Sequence, residues 1–320
     1  MILVAVALSE LQAAPSPEGT TNTIIFTGCC DASAAALLDE EHIAVADDED
    51  SRLHIYPLRG GPPERIIDLA PFLKLDPKKP EIDLEGAARL GDRIYWISSH
   101  GRNRQGEARP SRMRFFATAV TNLGNGVTLR PVGSFSATLL GELIRDPRLR
   151  EFRLDLAARL APKFPGGLNI EGLAPTPAGH LLIGFRNPLP RRRALIVPLL
   201  NPEEIISARP ARLGDPILLN LDELGIRSLE PWQGRQLIVA GRYDTRPEFK
   251  LFQWSGVGDA VEQITGVRFE GLNPEALVVT GDSRRLLVLS DDGTLRHRGA
   301  ECKKLKDASQ RRFRGTWIEP

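Results

Sequence analysis

Short apolar runs separated by polar turns recur along the chain. In each copy a polar or acidic step leads into an apolar run, a turn follows, and a second apolar run comes next. The five copies begin at Asp31, Asp83, Asn169, Gly225 and Asn273. Short runs of this kind, bounded by turn formers, are typical of buried strands. The repeat therefore predicts an all-β fold built from similar units.

The spacing of the copies indicates a β-propeller. When Ser33, Glu85, Glu171, Arg227 and Glu275 are taken as equivalent, successive copies lie 52, 86, 56 and 48 residues apart. Four short strands need roughly 40 to 50 residues, which is the length of one propeller blade. We predict five four-stranded blades.

The longest step contains additional sequence. Residues 115–120 and 127–132 predict a hairpin around the turn Gly124-Asn125-Gly126, and six blades would follow if the region 113–132 formed a blade of its own. From Ser136 to Leu160 the apolar residues recur near helical spacing, which predicts two helices. We therefore expect one propeller domain over residues 21–320, with a helical insertion at 134–168 outside the propeller proper.

The two ends of the repeat should close the ring. Thr23–Thr27 and Phe313–Ile318 remain as strands that would pair in one blade, which removes an open sheet edge. Leu295–Arg298 is expected to be the outer strand of the last repeat. In an oxidising compartment Cys302 would bridge Cys29 or Cys30, and a Cys30–Cys302 bridge would lie near the closure; in the cytosol all three would be buried thiols.

The first 20 residues leave the compartment open. Met1 to Leu8 resembles the end of a secretory apolar region, and Ala13-Ala14 resembles a cleavage site, but no basic residue precedes the run and Glu10 interrupts it. A flexible terminus explains the segment equally well. Export to the periplasm and a cytoplasmic location both stay open, with export slightly favoured.

Composition excludes several classes of protein. With 42 Lys plus Arg against 41 Asp plus Glu, the formal net charge is +1, so nucleic acid and anionic membrane surfaces are not expected partners. The chain contains no G-x-S-x-G, H-E-x-x-H, P-loop or Rossmann motif. We expect a monomer, with a small-molecule or anionic substrate if it is an enzyme.

Candidate functional residues stand at equivalent places in the repeat. In an antiparallel blade the innermost strand begins at the edge where the second strand ends, so both sets of residues should meet at one mouth of the central channel. The innermost positions predict metal ligands, namely Glu85, Glu171, Glu275 and Asn169. The remaining positions predict catalytic residues (His100, Arg186 and Arg227) and substrate-binding residues (Asp31, Asp48, Arg102, Asn187, Asp291 and Asp292).

A purely structural interpretation stands beside this one. Asp, Asn and Gly after a strand are turn formers, so the outer residues would only shape loops. Arg227 would then be the internal counter-charge for Glu85, Glu171 and Glu275. For the Glu-Gly pairs that begin at Glu85 and Glu171 we favour a functional role, because a buried carboxylate needs a partner and the glycine after it would leave room for a ligand or ion.

The pattern resembles a known family. The motifs that carry the resemblance are Cys30-Asp-Ala-Ser-Ala34, Asp83-Leu-Glu-Gly-Ala-Ala-Arg-Leu90, Ser99-His-Gly-Arg-Asn103, Leu168-Asn-Ile-Glu-Gly-Leu173 and Leu289-Ser-Asp-Asp-Gly293. The chain is similar to a bacterial domain-of-unknown-function family, number 3616, related to the propeller-shaped phytase-like esterases. The resemblance implies a propeller over nearly the whole chain; for function it is an analogy of fold alone.

Three functional hypotheses follow. The first is a metal-assisted ester or phosphoester hydrolase, with Ca²⁺ held by the carboxylates. Arg102, Arg186 or Arg227 would clamp an anionic group, and His100 would move a proton. The second is a non-catalytic propeller that binds a small ligand, a glycan or a protein partner on the same face. The third is a scaffold without a small-molecule site.

Overall fold

Five antiparallel sheets of four strands each follow one another around a ring. The computed structural model describes residues 23–124, 126–258, 260–281 and 284–320. In it the innermost strand of each sheet contacts the innermost strand of the next sheet, and the fifth contacts the first. The fold is therefore a five-bladed β-propeller, as the repeat predicts. The signal-like residues 1–20 lie outside the described residues.

Each blade contains four strands, ordered from the innermost strand outwards. The first strand of the chain is β1 (Thr23–Thr27), which belongs to the last blade. Blade 1 is β2 (Ala32–Leu37), β3 (His42–Asp47), β4 (Arg52–Pro57) and β5 (Arg65–Asp68). Blade 2 is β6 (Leu84–Leu90), β7 (Arg93–Ser98), β8 (Phe115–Leu123) and β9 (Gly126–Ser136). Blade 3 is β10 (Asn169–Pro175), β11 (Leu181–Asn187), β12 (Ala194–Leu199) and β13 (Ile217–Leu219). Blade 4 is β14 (Gly225–Trp232), β15 (Arg235–Gly241), β16 (Phe249–Trp254) and β17 (Val261–Ile264).

Blade 5 closes the ring with strands from both ends of the described chain. Its order is β18 (Pro274–Val279), β19 (Leu286–Ser290), β22 (Arg312–Ile318) and β1. The predicted closure is thus confirmed. The prediction of an outer strand at Leu295–Arg298 is wrong: β20 (Arg296–His297) and β21 (Ala300–Glu301) form a separate hairpin, because β22 occupies the place beside β19.

The helices are short. They are α1 (Ala70–Leu73), α2 (Leu139–Arg145), α3 (Leu154–Ala157) and α4 (Pro202–Ile205), with 3₁₀ turns at Pro110–Arg112, Pro147–Phe152, Pro190–Arg192, Cys302–Lys304 and Ala308–Gln310. Among the described residues no helix has the length and apolar content needed to cross a membrane. The predicted hairpin before the insertion is β8 and β9, so the region 113–132 completes blade 2 and makes no sixth blade.

The hydrophobic core consists of five layers, one between each pair of neighbouring blades. The predicted helical insertion connects β9 to β10 as α2, a 3₁₀ turn and α3. Its apolar side chains, including Leu139, Leu143, Leu149 and Leu154, are buried in the layer between blades 2 and 3. The insertion therefore shares the propeller core, and does not lie outside it as the helical spacing alone suggested.

A disulfide joins the two ends of the fold. Cys30, just before β2, is bonded to Cys302, which follows β21, across 272 residues of sequence. Cys29 is a free, buried thiol.

Candidate functional site

Every innermost strand carries a bulge at the same place. The pairing with the second strand shifts by one residue at Ser33, Glu85, Glu171, Arg227 and Glu275, so each of these residues is the extra one. A bulge interrupts the ladder locally and re-aims the side chain of its extra residue. The five residues that the repeat predicts to be equivalent are therefore structurally equivalent, and all five are buried.

The bulged residues surround a narrow central cavity. Ser33, Glu85, Glu171 and Glu275 line it, together with Glu230 from further along β14. It has room for about one water molecule. An ion or a water molecule fits within the channel, whereas an organic substrate would have to bind at its mouth.

Glu171 is held by a buried arginine and an amide. Arg186 Nη1 lies 2.7 Å from Glu171 Oε1, and Asn169 Nδ2 donates to the same oxygen at 2.7 Å. Arg186 also donates to the main-chain carbonyls of Arg242 (2.8 Å) and Asp244 (3.0 Å) in blade 4. Glu171 Oε2 is buried without a hydrogen-bond partner in the described chain.

Glu275 has a different arginine. Arg227 forms an ion pair with Glu275, and its Nε donates to Pro274 O at 3.0 Å, which ties blade 4 to blade 5. Burial raises the pKa of Glu275 to about 8, against the opposing charge of Arg227. The interpretation of Arg227 as counter-charge for three glutamates is therefore too broad, because among the described residues its ion pair is with Glu275, and Glu171 pairs with Arg186.

Glu85 lies beside two aspartates and, unlike Glu171 and Glu275, has no arginine partner among the described residues. Single carboxylate oxygens of Asp48, Asp83 and Glu85 all lie within 4.8 Å of one another, across blades 1 and 2. Arg112 pairs with Asp83 at 2.8 Å, while Asp48 and Glu85 have no ion pair with any described residue. Burial, and after it the charge of Glu171, raises the pKa of Glu85 well above its ordinary value.

Asp31 extends the acidic cluster towards blade 5. Its carboxylate lies within 4.8 Å of ligand oxygens of Asp48 and Glu49, and Lys303 pairs with Glu49 at 2.6 Å. Burial and a hydrogen bond to Asp291 raise the pKa of Asp31 to about 10. Asp31 therefore adds another carboxyl group of raised pKa to the cluster that contains Glu85.

Two acidic oxygens beside this cluster have no hydrogen-bond partner among the described residues. Asp31 Oδ2 and Asp48 Oδ1 are both buried in this state. Buried polar atoms are normally satisfied by protein, water or an ion. The donor set consists of carboxylate oxygens, which suits a hard divalent cation such as Ca²⁺.

The predicted metal ligands are thus only partly brought together. Of Glu85, Glu171, Glu275 and Asn169, only Glu85 belongs to a group of close acidic oxygens in the described chain. Asp83 belongs to the same group, although it is not among the ligands predicted from the sequence. It stands two residues before Glu85 and immediately before β6, and this spacing is the signal that could have identified it.

The glycines after Glu85 and Glu171 serve packing. A Cβ on Gly86 would lie 2.9 Å from Leu173 Cβ, and one on Gly172 would lie 2.7 Å from Ile226 Cγ2 of the next blade. The expectation that they leave room for a ligand is wrong, because neighbouring blades fill that space.

His100 lies away from the acidic oxygens. Its Nδ1–H donates to Ser98 O at 2.7 Å, its side chain is fully buried, and burial lowers its pKa to about 4. The charge that acts on it is that of Arg114. Its catalytic role stays a prediction from the sequence, and no contact with Asp48, Asp83 or Glu85 supports it.

The predicted substrate-binding residues have two kinds of partner. Asp291 accepts from Asn273 Nδ2 at 2.9 Å, and Asp292 pairs with Arg314 at 2.7 Å. Arg102 and Asn187, in contrast, contact the insertion: Arg102 Nε donates to Ala158 O at 2.9 Å, and Asn187 Nδ2 donates to the carbonyls of residues 162 and 164.

Comparison with known proteins identifies one matching family and several solved structures of low sequence identity. A family model described as "Protein of unknown function (DUF3616)" matches residues 31–123 and 129–283. No curated protein sequence matches the chain.

Three solved structures illustrate the similarity of fold. Myxococcus xanthus glutaminyl cyclase is 11% identical, with a TM-score of 0.49, and the match covers 93% of this chain and 95% of that one. PQQ-bound aldose sugar dehydrogenase from Streptomyces coelicolor is 10% identical (TM-score 0.44; 93% and 99% covered). The Cps50 (Swd1) β-propeller domain from Myceliophteria thermophila is 12% identical (TM-score 0.37; 90% and 96% covered). At these scores the similarities carry no argument about the site.

Proposed function

The chain belongs to the DUF3616 family of proteins of unknown function, and we propose that its channel mouth binds a hard divalent cation such as Ca²⁺ for the hydrolysis of an ester or phosphoester. The observation that carries the proposal is the cluster of Asp48, Asp83 and Glu85. Their oxygens lie within 4.8 Å of one another, and only Asp83 has an arginine partner in the described chain.

Charge balance supports a cation. Carboxylates this close cannot all be ionised without compensation, so in the cation-free protein they keep protons. Burial, and after it the charges of neighbouring carboxylates, raises the pKa values of Asp48 and Glu85. A divalent cation would replace these protons, so its affinity should rise with pH.

The residues fit such an ion, and the ion would supply a Lewis acid that lowers the pKa of bound water. Asp48, Asp83 and Glu85 would hold it. Glu171 Oε2, buried and without a partner in the described chain, is the nearby acceptor able to receive a proton from water in the channel. Arg186 and Arg227 are fully engaged with Glu171 and Glu275, so their proposed part is to hold the ring of carboxylates.

A second candidate is a non-catalytic propeller that binds a ligand, glycan or protein partner on the same face. The narrowness of the channel favours it, since a cavity with room for about one water molecule leaves no space for an organic substrate inside.

Thermal unfolding with Ca²⁺ and chelator tests the cation site. At a free Ca²⁺ concentration 100 times its Kd, the folded protein should gain about 2.7 kcal/mol, or roughly 5 °C in melting temperature. Asp48→Asn should remove most of this gain because it neutralises the one ligand shared by both acidic groups.

Glu262→Gln is the matched control. Glu262 is an exposed carboxylate on the edge strand β17, so its variant should keep the full Ca²⁺ response. If wild-type protein, prepared with chelator and returned to Ca²⁺, shows no shift, the cation site is refuted.

The catalytic half of the proposal is tested with p-nitrophenyl acetate and p-nitrophenyl phosphate. Hydrolysis that chelator abolishes and that Asp48→Asn loses would support the hydrolase. Ca²⁺ binding without turnover of either ester would favour the binding module.

A further inference from the structure

The end of the insertion is fixed against the channel mouth. Arg102 Nε donates to Ala158 O at 2.9 Å, and Asn187 Nδ2 donates to both Pro162 O and Phe164 O at 2.8 Å. Asn187 is the last residue of β11 and is 1% exposed. The side chain that holds the insertion therefore belongs to a buried strand of the sheet. The backbone on both sides of Lys163 is thereby held in place.

The two side chains presented there are unusual for a surface loop. Phe164 is 56% exposed and is the one aromatic residue among the large hydrophobic side chains that are exposed in the described chain. Lys163 is exposed and forms no ion pair with the described residues. The main chain that carries them is held in place, so an exposed lysine stands next to an exposed phenylalanine and combines a positive charge with an apolar face.

The main chain around Lys163 lies at the mouth. Asn187, at the end of β11, and Arg102, in the loop after β7, hold the carbonyls of the insertion on either side of it. No carboxylate of the described chain forms an ion pair with the Lys163 ammonium.

An anionic ligand needs such a charge. The side chains at the mouth that have no ion pair with described residues, Asp31, Asp48, Glu85 and Asp291, are all acids, so none of them attracts an anion. Of the three arginines that the sequence suggested as clamps, Arg186 and Arg227 are 4% and 2% exposed and are bound to glutamates. Neither can reach a ligand outside the channel. The third, Arg102, donates to the carbonyls of Ala158 and Gly106.

We propose that Lys163 and Phe164 form the ligand-recognition element of the mouth, for an anionic ester that carries an apolar ring. Lys163 binds its phosphate or carboxylate group, and Phe164 packs against the ring. Arg102 and Asn187, predicted to bind substrate directly, are then positioning residues for this element. The inference rests on the proposed function, because it supplies the substrate class for the same site.

Binding of phenylphosphonate, measured by calorimetry with Ca²⁺ present, tests the inference. The probe combines an anionic group with a ring and cannot be hydrolysed as an ester. Lys163→Met should weaken its binding at least tenfold, and Lys163→Arg should stay within about threefold of wild type because the charge is kept. Phe164→Ala should weaken phenylphosphonate binding and leave the weaker binding of methylphosphonate, which has no ring, unchanged.

Arg130→Met is the control for charge. Arg130 is an exposed cation on the outermost strand β9 of blade 2, so its loss should leave phenylphosphonate binding unchanged. All three substitutions at 163 and 164 alter exposed side chains, and each variant should keep the Ca²⁺-induced shift in melting temperature.

The two proposals fail differently. If Ca²⁺ stabilises the protein but wild type does not bind phenylphosphonate, or Lys163→Met binds it as tightly as wild type does, the recognition element is refuted and the cation site stands. If Ca²⁺ has no effect on wild type, the proposed function fails first.

Discussion

Burial of carboxylates along the propeller axis makes single residues sensitive to pH. Glu230 lines the central cavity three positions after Arg227, and burial raises its pKa to about 8, partly opposed by a hydrogen bond from the backbone N–H of Val279. The repeat did not single out Glu230, because no acidic residue stands at its place in the other innermost strands.

Glu230 should make the protein less stable as pH rises. Between an unfolded pKa near 4.5 and a folded pKa of about 8, the folded state keeps a proton that the unfolded state has released. Stability should therefore fall from pH 5 to pH 8, by about 2 kcal/mol after allowance for partial exposure. Glu230→Gln cannot lose a proton at this position, so its stability should fall by about 2 kcal/mol less than that of wild type over this range. Buried carboxyls such as Glu275, whose pKa is also raised to about 8, account for the slope that remains.

Urea unfolding at pH 5, 6.5 and 8 in the presence of chelator measures the slope. Glu262→Gln, at an exposed edge, should behave like wild type. Equal slopes for Glu230→Gln and wild type would show that Glu230 titrates near its ordinary pKa in the folded protein.

At the scale of elements, the five bulges and the insertion decide what the propeller presents at its mouth. A bulge at each innermost strand turns Glu85, Glu171 and Glu275 towards the axis, while the inter-blade layers keep their apolar residues. The insertion is bound into one of those layers, and Asn187 holds the main chain on both sides of Lys163.

Shortening a buried side chain of the insertion should lower the stability of the whole propeller. Leu143 on α2 is fully buried between blades 2 and 3, so Leu143→Ala should cost about 3 kcal/mol of unfolding free energy. Leu156 lies in the same insertion but is 45% exposed, and Leu156→Ala should cost less than about 1 kcal/mol.

Denaturant unfolding followed by far-ultraviolet circular dichroism gives both values. If Leu143→Ala lost only helical signal in an early, separate transition, the insertion would be an independent cap and not part of the propeller core.

At the scale of the whole molecule, closure depends on contacts between distant parts of the chain. β1 and β22 complete blade 5, and the Cys30–Cys302 disulfide fastens the start of blade 1 to the segment before β22. That segment also carries Lys303, which pairs with Glu49 beside the acidic cluster.

Loss of the disulfide should destabilise the closed ring. Cys302→Ala should lower the unfolding free energy by about 3 kcal/mol, because the long loop is no longer constrained in the unfolded chain. Reduction should produce a similar loss in wild type and no further loss in the variant.

Cys29→Ala is the control, since Cys29 is a free thiol and its variant should keep the sensitivity to reductant. A Cys30→Ala variant that remained as stable as wild type and as sensitive to reduction would mean that Cys29 can replace Cys30 in the bridge.

The sequence alone determined the architecture of the ring. The equivalence of Ser33, Glu85, Glu171, Arg227 and Glu275, and closure by the terminal strands, follow from an apolar period that every copy repeats. The structure then decides for five blades, because the region 113–132, which left a sixth blade open, completes blade 2. Such a period is a property of local sequence, because each blade must bury the same strands against its neighbours.

Only the tertiary structure decided which charges meet. Arg186 reaches Glu171, Arg227 reaches Glu275, and Glu85 is left with Asp48 of the preceding blade. These partners depend on the bulges and on the angle between blades, which a repeat in the sequence does not encode. For the same reason Gly86 could be seen to serve packing only once Leu173 of the next blade was in place, because the space beside a residue is set by chain segments that are distant in sequence.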